Sequence, residues 1–272
     1  MHPHHMSLNQ KKNKMVENRK LTKEEINQLC IEYKENGYIK IEKLFDTHFL
    51  KKLYLKIEKL SKSKNYKDDI LENINFFDNG EISSMHNLSN YISEYKLLRN
   101  SPSIINLFNE LYGEIDDFEF NSSYFAKPKL KGYETKPHQD NAFFCFNPIE
   151  AFTCWIPLDK VTEENGPVYY LVKSFEEGIL PHTLNGNLGA SQCIDNDTFS
   201  KMKKKYKLEN TILNPGDCLI HNPIIIHGSM SNKSDKNRRA FNFSIKSKNA
   251  HRDDFSYKKY KENLTEFLNT KR

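Results

Sequence analysis

The chain has 272 residues, enough for one large domain, and its 37% hydrophobic and 12% aromatic content is that of a globular protein. Forty-one basic and 36 acidic residues leave a formal charge of +5, mixed in sign along the chain, which describes a solvated surface and not a nucleic-acid footprint. No apolar run is long enough to span a bilayer and no hydrophobic leader opens the chain, so the expected compartment is cytoplasmic, with neither a membrane nor nucleic acid as partner.

Residues 1–20, with His2, His4 and His5, are expected to be a disordered start or a tag remnant, and 21–272 to form a single domain. Thr22 with Glu25 has the spacing of a capping box, and Ile26, Leu29, Cys30 and Tyr33 follow at helical period, so a first amphipathic helix is expected until Gly37. Tyr38 to Ile41 alternates as a short strand. Leu50, Leu53, Ile57 and Leu60 mark a second helix, and Ile105, Leu107, Phe108 and Leu111 give a third, from Pro102 to Tyr112, its buried face. A helical layer over about 21–115 thus precedes the rest.

From Phe118 the pattern changes to short aromatic and β-branched runs separated by Pro, Gly and Asn. The expected strands are Phe118 to Ala126, His138 to Phe146, Phe152 to Leu158, Val168 to Val172, Cys218 to Asn222, Ile224 to Gly228 and Arg238 to Ile245. Many short strands in one domain need a closed or two-sheet solution, so the expected fold is mainly β with flanking α-helices, a jelly-roll barrel over about 116–247. The glycine-containing stretch from Phe175 to about Asp197 is too long for an ordinary turn and reads as a lid. Lys201 to Lys205 reads as a solvated helix face, and a final helix over about 255–268 carries Tyr260, Leu264 and Phe267 on one side. Five cysteines without Cys-x-x-Cys spacing read as reduced, packed thiols.

His138 and Asp140 lie two apart at the start of an expected strand, where alternation would point both side chains the same way. His-x-Asp alone is more often a surface pair than a ligand pair, so a third ligand is required. His227 offers it: the apolar run Ile224 to Ile226 delivers one polar side chain just before Gly228. Two imidazoles and one carboxylate on one face of a metal leave its opposite positions free, the arrangement used by iron(II) oxygenases. Arg238 opens a strand whose one parity, with Ala240, Asn242 and Ser244, is small and polar, while Phe241, Phe243 and Ile245 form the other. If that polar side faces the interior, the guanidinium needs an anion, and the distal carboxylate of 2-oxoglutarate fits; on its own Arg238 would instead read as an exposed charge or structural ion pair.

His138-Gln139-Asp140, His227-Gly228-Ser229 and the Arg238-Arg239-Ala240 strand together resemble the phytanoyl-CoA dioxygenase family. The likeness extends to the Gly37-Tyr38-Ile39 region, Lys127-Pro128, the Asn165-Gly166-Pro167 turn, the Ser174 loop and Pro215-Gly216-Asp217. It implies a double-stranded β-helix fold, iron(II) held by His138, Asp140 and His227, and 2-oxoglutarate anchored by Arg238. By the same comparison Ser229, Trp155 and Lys127 resemble residues lining the co-substrate pocket; Trp155 reads equally as barrel core. The implied reaction is hydroxylation of a small molecule using dioxygen, with succinate and CO2 released and ascorbate as a supporting reductant. Related halogenases have a small residue where Asp140 stands, so hydroxylation is expected over halogenation. Two other readings stay open: a non-catalytic binding protein of the same fold, and a cupin-like metal enzyme that does not use 2-oxoglutarate. His221 is expected to make a local strand-end hydrogen bond, with support behind a metal ligand as the alternative, His182 to meet substrate or solvent, and Asp217 to bond backbone in a turn.

Overall fold

The Thr22 hydroxyl accepts from Glu25 N–H at 3.2 Å and the Glu25 carboxylate accepts from Thr22 N–H at 2.8 Å, so helix α1 (Lys23–Asn36) begins at the expected capping box. Gly37, left-handed at φ 83°, ends it and turns the chain into β1 (Tyr38–Ile41). The structure, a computed structural model, describes residues 16–62, 73–77, 80–116, 120–130, 132–184 and 192–270. Next come α2 (Thr47–Lys62), β2 (Ile74–Phe76), β3 (Ile82–His86) and α3 (Pro102–Tyr112). The β-rich part contains β4 (Ser122–Lys127), β5 (Thr135–His138), β6 (Phe146–Asn147), β7 (Ala151–Pro157) and β8 (Val168–Leu171). After α4 (Asn196–Lys205) follow β9 (Leu208–Asn210), β10 (Cys218–His221), β11 (His227–Ser229), β12 (Arg238–Lys246), β13 (His251–Arg252) and α5 (Asp254–Thr270).

Two antiparallel sheets carry the architecture. One has seven strands in the order β1-β10-β7-β12-β4-β3-β2 and the other four in the order β5-β11-β8-β9; β13 and β6 pair separately. No ladder joins the two larger sheets into a closed barrel among the described residues. One parity of the large sheet, including Phe152, Cys154, Ile220, Phe241, Phe243 and Ile245, packs with Leu50, Leu53, Ile57, Leu107 and Phe108 of the helices in the main core. The opposite parity holds Trp155, Leu219 and Ala240, which cluster with Val168 and Tyr170 of the small sheet. The small polar parity expected on β12 therefore faces the interior between the sheets.

Several expectations are corrected. The strand expected over His138 to Phe146 ends at His138; Asp140 is αR (φ −59°, ψ −35°) and Asn141–Phe144 forms one helical turn. The Asn141 amide closes this turn, bonding both Phe146 C=O (3.1 Å) and Phe146 N–H (3.0 Å), an alternative to ladder pairing. The last ladder strand before Arg238 starts at His227 and not at Ile224. The buried stripe of α3 runs through Ile104, Leu107 and Phe108, with Ile105 and Leu111 only half-buried. The helical layer also contributes β2 and β3 to the large sheet, short strands whose polar Ser83 and Ser84 gave no apolar alternation. Val16 and Glu17 are buried, and the Glu17 carboxylate accepts from Ser103 N–H at 2.8 Å, so ordered structure starts before residue 21. Residues 1–15 and 185–191, including most of the expected lid's glycines, lie outside the described residues, as does the Phe267 side chain.

Candidate metal centre and co-substrate pocket

β5 and β11 lie side by side with His138 directly opposite His227, which brings the two rings to a centroid distance of 4.3 Å. The chain turns sharply after β5 and returns Asp140 to the same point: its Oδ1 is 3.7 Å from His138 Nε2 and 3.6 Å from His227 Nε2. The three donor atoms lie within 4.8 Å of one another. His138 Nδ1 donates to Lys136 C=O (2.8 Å) and His227 Nδ1 to Ile225 C=O (3.1 Å), which leaves each Nε2 lone pair turned to the common centre. Burial holds both imidazoles below the usual histidine range, His227 well below it with the charges of His138 and His221 adding to the effect. Burial pushes the Asp140 carboxyl up, but the His227, His221 and His138 rings outweigh it and hold the group well below the usual carboxylate range. Two neutral imidazoles and one carboxylate, with donors converging, suit a divalent first-row metal.

Asp140 Oδ2 is turned away from that centre. It accepts from the Thr153 hydroxyl at 2.7 Å and from His221 Nε2 at 3.1 Å, while His221 Nδ1 meets the Tyr170 hydroxyl at 3.0 Å. His221 thus contacts the candidate ligand itself, against the expected local bond. Thr153 and Tyr170 were not singled out from sequence. The available signal was one polar residue in each apolar strand, Thr153 among Phe152, Cys154 and Trp155, and His221 after Leu219 and Ile220.

A cavity of about 460 Å³ opens on these groups and is lined by residues of both sheets. Arg238, Trp155, Ser229 and Lys127 all line it. Arg238 is 3% exposed; its Nε has no hydrogen-bond partner, and no carboxylate pairs with it among the described residues. Its guanidinium carbon lies 5.2 Å from the Trp155 ring centroid. Burial pulls the group from the usual arginine range down to about 10, against the opposing charge of Asp159, whose carboxylate is engaged by Arg239 at 2.7 Å. Lys127 Nζ directs its donors to the carbonyls of Tyr133 (2.5 Å), Met230 (2.7 Å) and Ser229 (3.4 Å), tying together the loops that rim the cavity. Burial, with Arg238 repelling it, draws that ammonium down to about 6.

Gln139, between the two ligand candidates, is fully buried: its amide bonds Gly178 C=O, Ile224 C=O and Leu180 N–H, so it pins neighbouring loops. His182 Nε2 accepts from Gln139 N–H at 3.1 Å, and the ring stays partly exposed to solvent. Asp217 accepts from Lys43 N–H and Asn214 N–H, as expected of a turn.

The family model described as Phytanoyl-CoA dioxygenase (PhyH) matches residues 33–240, well over half of the chain. The chain belongs to the phytanoyl-CoA dioxygenase family. Among its curated relatives, the "Phytanoyl-CoA dioxygenase domain-containing protein 1" of Danio rerio is 28% identical over 165 residues, 59% of this chain and 55% of that protein. The "Phytanoyl-CoA dioxygenase, peroxisomal" of Homo sapiens is 25% identical over 129 residues, 46% of this chain and 38% of that protein. The chain thus matches about half the length of these relatives, or less. The fold is shared with solved structures. EctD from S. alaskensis, crystallised with 2-oxoglutarate and 5-hydroxyectoine, superposes with a TM-score of 0.67 at 17% identity over 86% of this chain and 80% of that one. SnoK, a non-heme alpha ketoglutarate dependent carbocyclase from nogalamycin biosynthesis, gives 0.66 at 20% identity over 85% and 87%. The family's double-stranded β-helix is present here as the two facing sheets.

Proposed function

We propose that this family member is a non-haem iron(II)- and 2-oxoglutarate-dependent dioxygenase that hydroxylates a small molecule. The observation that carries the reading is the buried Arg238 guanidinium, paired with no carboxylate among the described residues, in the same cavity as the convergent His138, Asp140 and His227. A metal site alone would suit many enzymes. A guanidinium kept from water without an anion is costly, and a dicarboxylate reaching from the metal supplies the missing partner. A cupin-like enzyme without 2-oxoglutarate has no use for such a residue.

In this reading His138, Asp140 and His227 hold iron(II), and Arg238, backed by Trp155, receives the distal carboxylate of 2-oxoglutarate in the cavity that Ser229 also lines. Lys127 holds the pocket rim through its three carbonyls. When bound, iron(II) with 2-oxoglutarate and dioxygen supplies one oxygen atom to the substrate and the other to succinate, with release of CO2. The chain's own work is to fix the donor atoms, seat the co-substrate and shield the reacting carbon from water. Phe76, Phe77 and Phe125 line the same cavity, an apolar wall for the small-molecule substrate. A cytoplasmic setting, with ascorbate as supporting reductant, completes the reading; no described helix is long and apolar enough to cross a membrane, and the five cysteines are free. The test is iron-dependent conversion of 2-oxoglutarate to succinate by the purified protein. It should be abolished in Asp140→Ala, and turnover retained by that variant, or absent from the unaltered protein, would overturn the assignment.

A further inference from the structure

A row of polar side chains crosses the inner face of the large sheet and ends on Asp140. His86 Nδ1 meets Ser123 Oγ at 3.0 Å, Ser123 Oγ meets Asn121 Oδ1 at 3.1 Å, and Asn121 Nδ2 meets Ser244 Oγ at 2.8 Å. Ser244 Oγ meets Thr153 Oγ1 at 2.9 Å, and Thr153 Oγ1 meets Asp140 Oδ2 at 2.7 Å. The directions follow from proton counting. A carboxylate only accepts, so the single Thr153 proton goes to Asp140, and Thr153 must accept from Ser244. Ser244 must then accept from the Asn121 amide, whose oxygen accepts from Ser123, which in turn accepts from His86 Nδ1–H. Turning the Asn121 amide over would leave the contact between Ser244 and Thr153 with no proton in it.

Every bond in the row therefore points the same way, and bonds aligned in series polarise one another in a low-dielectric interior. Ser123, Ser244 and Thr153 are at most 1% exposed, on a face whose opposite parity is Phe152, Cys154, Phe243 and Tyr124. A buried polar row is costly beside an apolar one unless every member is paired, and here each link of the row is paired. The second donor to the same Asp140 oxygen, His221 Nε2, comes from β10 on the other side of Thr153, its Nδ1 accepting from Tyr170.

We propose that this one-way row, together with His221, saturates Asp140 Oδ2 and so confines the carboxylate to one-oxygen ligation through Oδ1, keeping a coordination position open for co-substrate and dioxygen. Thr153 and His221 are positioning residues, and the row behind Thr153 orients its proton. The inference rests on the metal-centre reading above. It ties a property of the metal, how many of its positions the protein fills, to side chains reaching as far as β3.

The test uses manganese(II), bound in place of iron and read by water-proton relaxation, which reports the waters left on the metal. Thr153→Val keeps the shape and removes one of the two donors, loosening the hold on Oδ2 so that it can turn toward the metal. Manganese affinity should fall roughly 10- to 100-fold, the usual effect of losing a partner of a metal ligand. Relaxation per bound ion should fall by about a third, as two waters remain of three on a six-coordinate ion. Thr153→Ser should behave as the unaltered protein, and Ser244→Ala should lie between. Unchanged affinity and relaxation in Thr153→Val would overturn the proposal, as would equal losses in Thr153→Val and Thr153→Ser, which would mark a packing effect. No manganese binding by the unaltered protein, or equal binding by His138→Ala, would instead overturn the metal-centre reading on which it rests.

Discussion

Replacing Arg238 by methionine is expected to raise stability and to remove 2-oxoglutarate binding. Burial draws the guanidinium from the usual arginine range down to about 10. At about 1.4 kcal/mol per pH unit, that is a cost on the order of 3 kcal/mol for keeping it charged. The folded value lies below the unfolded one, so the cost is present in full at neutral pH and declines only as pH rises past about 10. The Trp155 face, 5.2 Å from the guanidinium carbon, returns up to ~2 kcal/mol in a desolvated setting. Methionine retains much of the apolar stem and carries no charge, so the variant without co-substrate should be more stable by about 1–3 kcal/mol, or roughly 2–6 °C in Tm. The same change removes one partner of a buried charge pair with 2-oxoglutarate, at a cost of about 2–5 kcal/mol, or roughly 30- to 5,000-fold in Kd. Thermal unfolding and calorimetric titration with manganese(II) present would read both effects. At a 2-oxoglutarate concentration of about 100 times the parent's Kd the unaltered protein should gain about 2.7 kcal/mol, and the variant about 0.9 kcal/mol at most. A variant that is less stable than its parent yet binds 2-oxoglutarate as tightly would refute the reasoning about Arg238.

His138→Ala and His227→Ala each leave two donors at the centre, so each should lose stoichiometric cobalt(II) binding and iron-dependent succinate formation; a one-to-one cobalt titration with either variant would contradict the ligand set. Because burial holds both imidazoles below the usual histidine range, protons compete for Nε2 only at lower pH than they would at an exposed site. Metal affinity should therefore change little between pH 7.5 and the ordinary histidine range of about 6.5 and fall only below it. Stability of the metal-free protein should decline in the same acid window, where the unfolded chain takes up protons that the folded rings refuse. Metal titrations and unfolding curves collected across that window check both, and an affinity that halves well above it would count against buried ligands. In Gly228→Ala the new Cβ would stand 2.3 Å from the Tyr169 hydroxyl and 2.6 Å from Thr135 C=O, so β11 must part from β8 or β5. A loss of about 1–3 kcal/mol in denaturant unfolding should accompany weaker metal binding, and wild-type values for both would show that the strands yield freely.

The parity of β12 was legible because it is a local property: alternation alone separates Arg238, Asn242 and Ser244 from Phe241, Phe243 and Ile245, and the sheet follows it. The capping box of α1 was legible for the same reason, since both partners sit within three residues. His138 and Asp140 do come together, but not as strand neighbours. The strand stops at His138, and the turn stapled by Asn141 returns Asp140 to it, a device with no periodic signature. Thr153 and His221 could not be matched to Asp140 from sequence because only the register of β10 on β7 places them side by side, and their shared partner is 13 and 81 positions away. Strands as short as β2 and β9, three residues each, carry too few alternations to stand out from loops.

The centre is divided between the two sheets in a way that gives Asp140 a double task. Both candidate imidazoles belong to the small sheet, on β5 and β11, while Arg238, Trp155, Thr153 and His221 belong to the large one. Asp140 leaves the end of a small-sheet strand, offers Oδ1 to the two imidazoles and gives Oδ2 to the large sheet. The distance from the candidate ligands to Arg238, which 2-oxoglutarate spans in the proposed reading, is therefore set by how the two sheets pack and not by either sheet alone. A carboxylate at this position serves that purpose better than a third imidazole, whose two nitrogens sit on one rigid ring and could not both bind the metal and accept two donors at a single outward atom. In the proposed reading, the residue whose carboxylate takes the place of a halide on the metal thus also fixes the frame that receives 2-oxoglutarate.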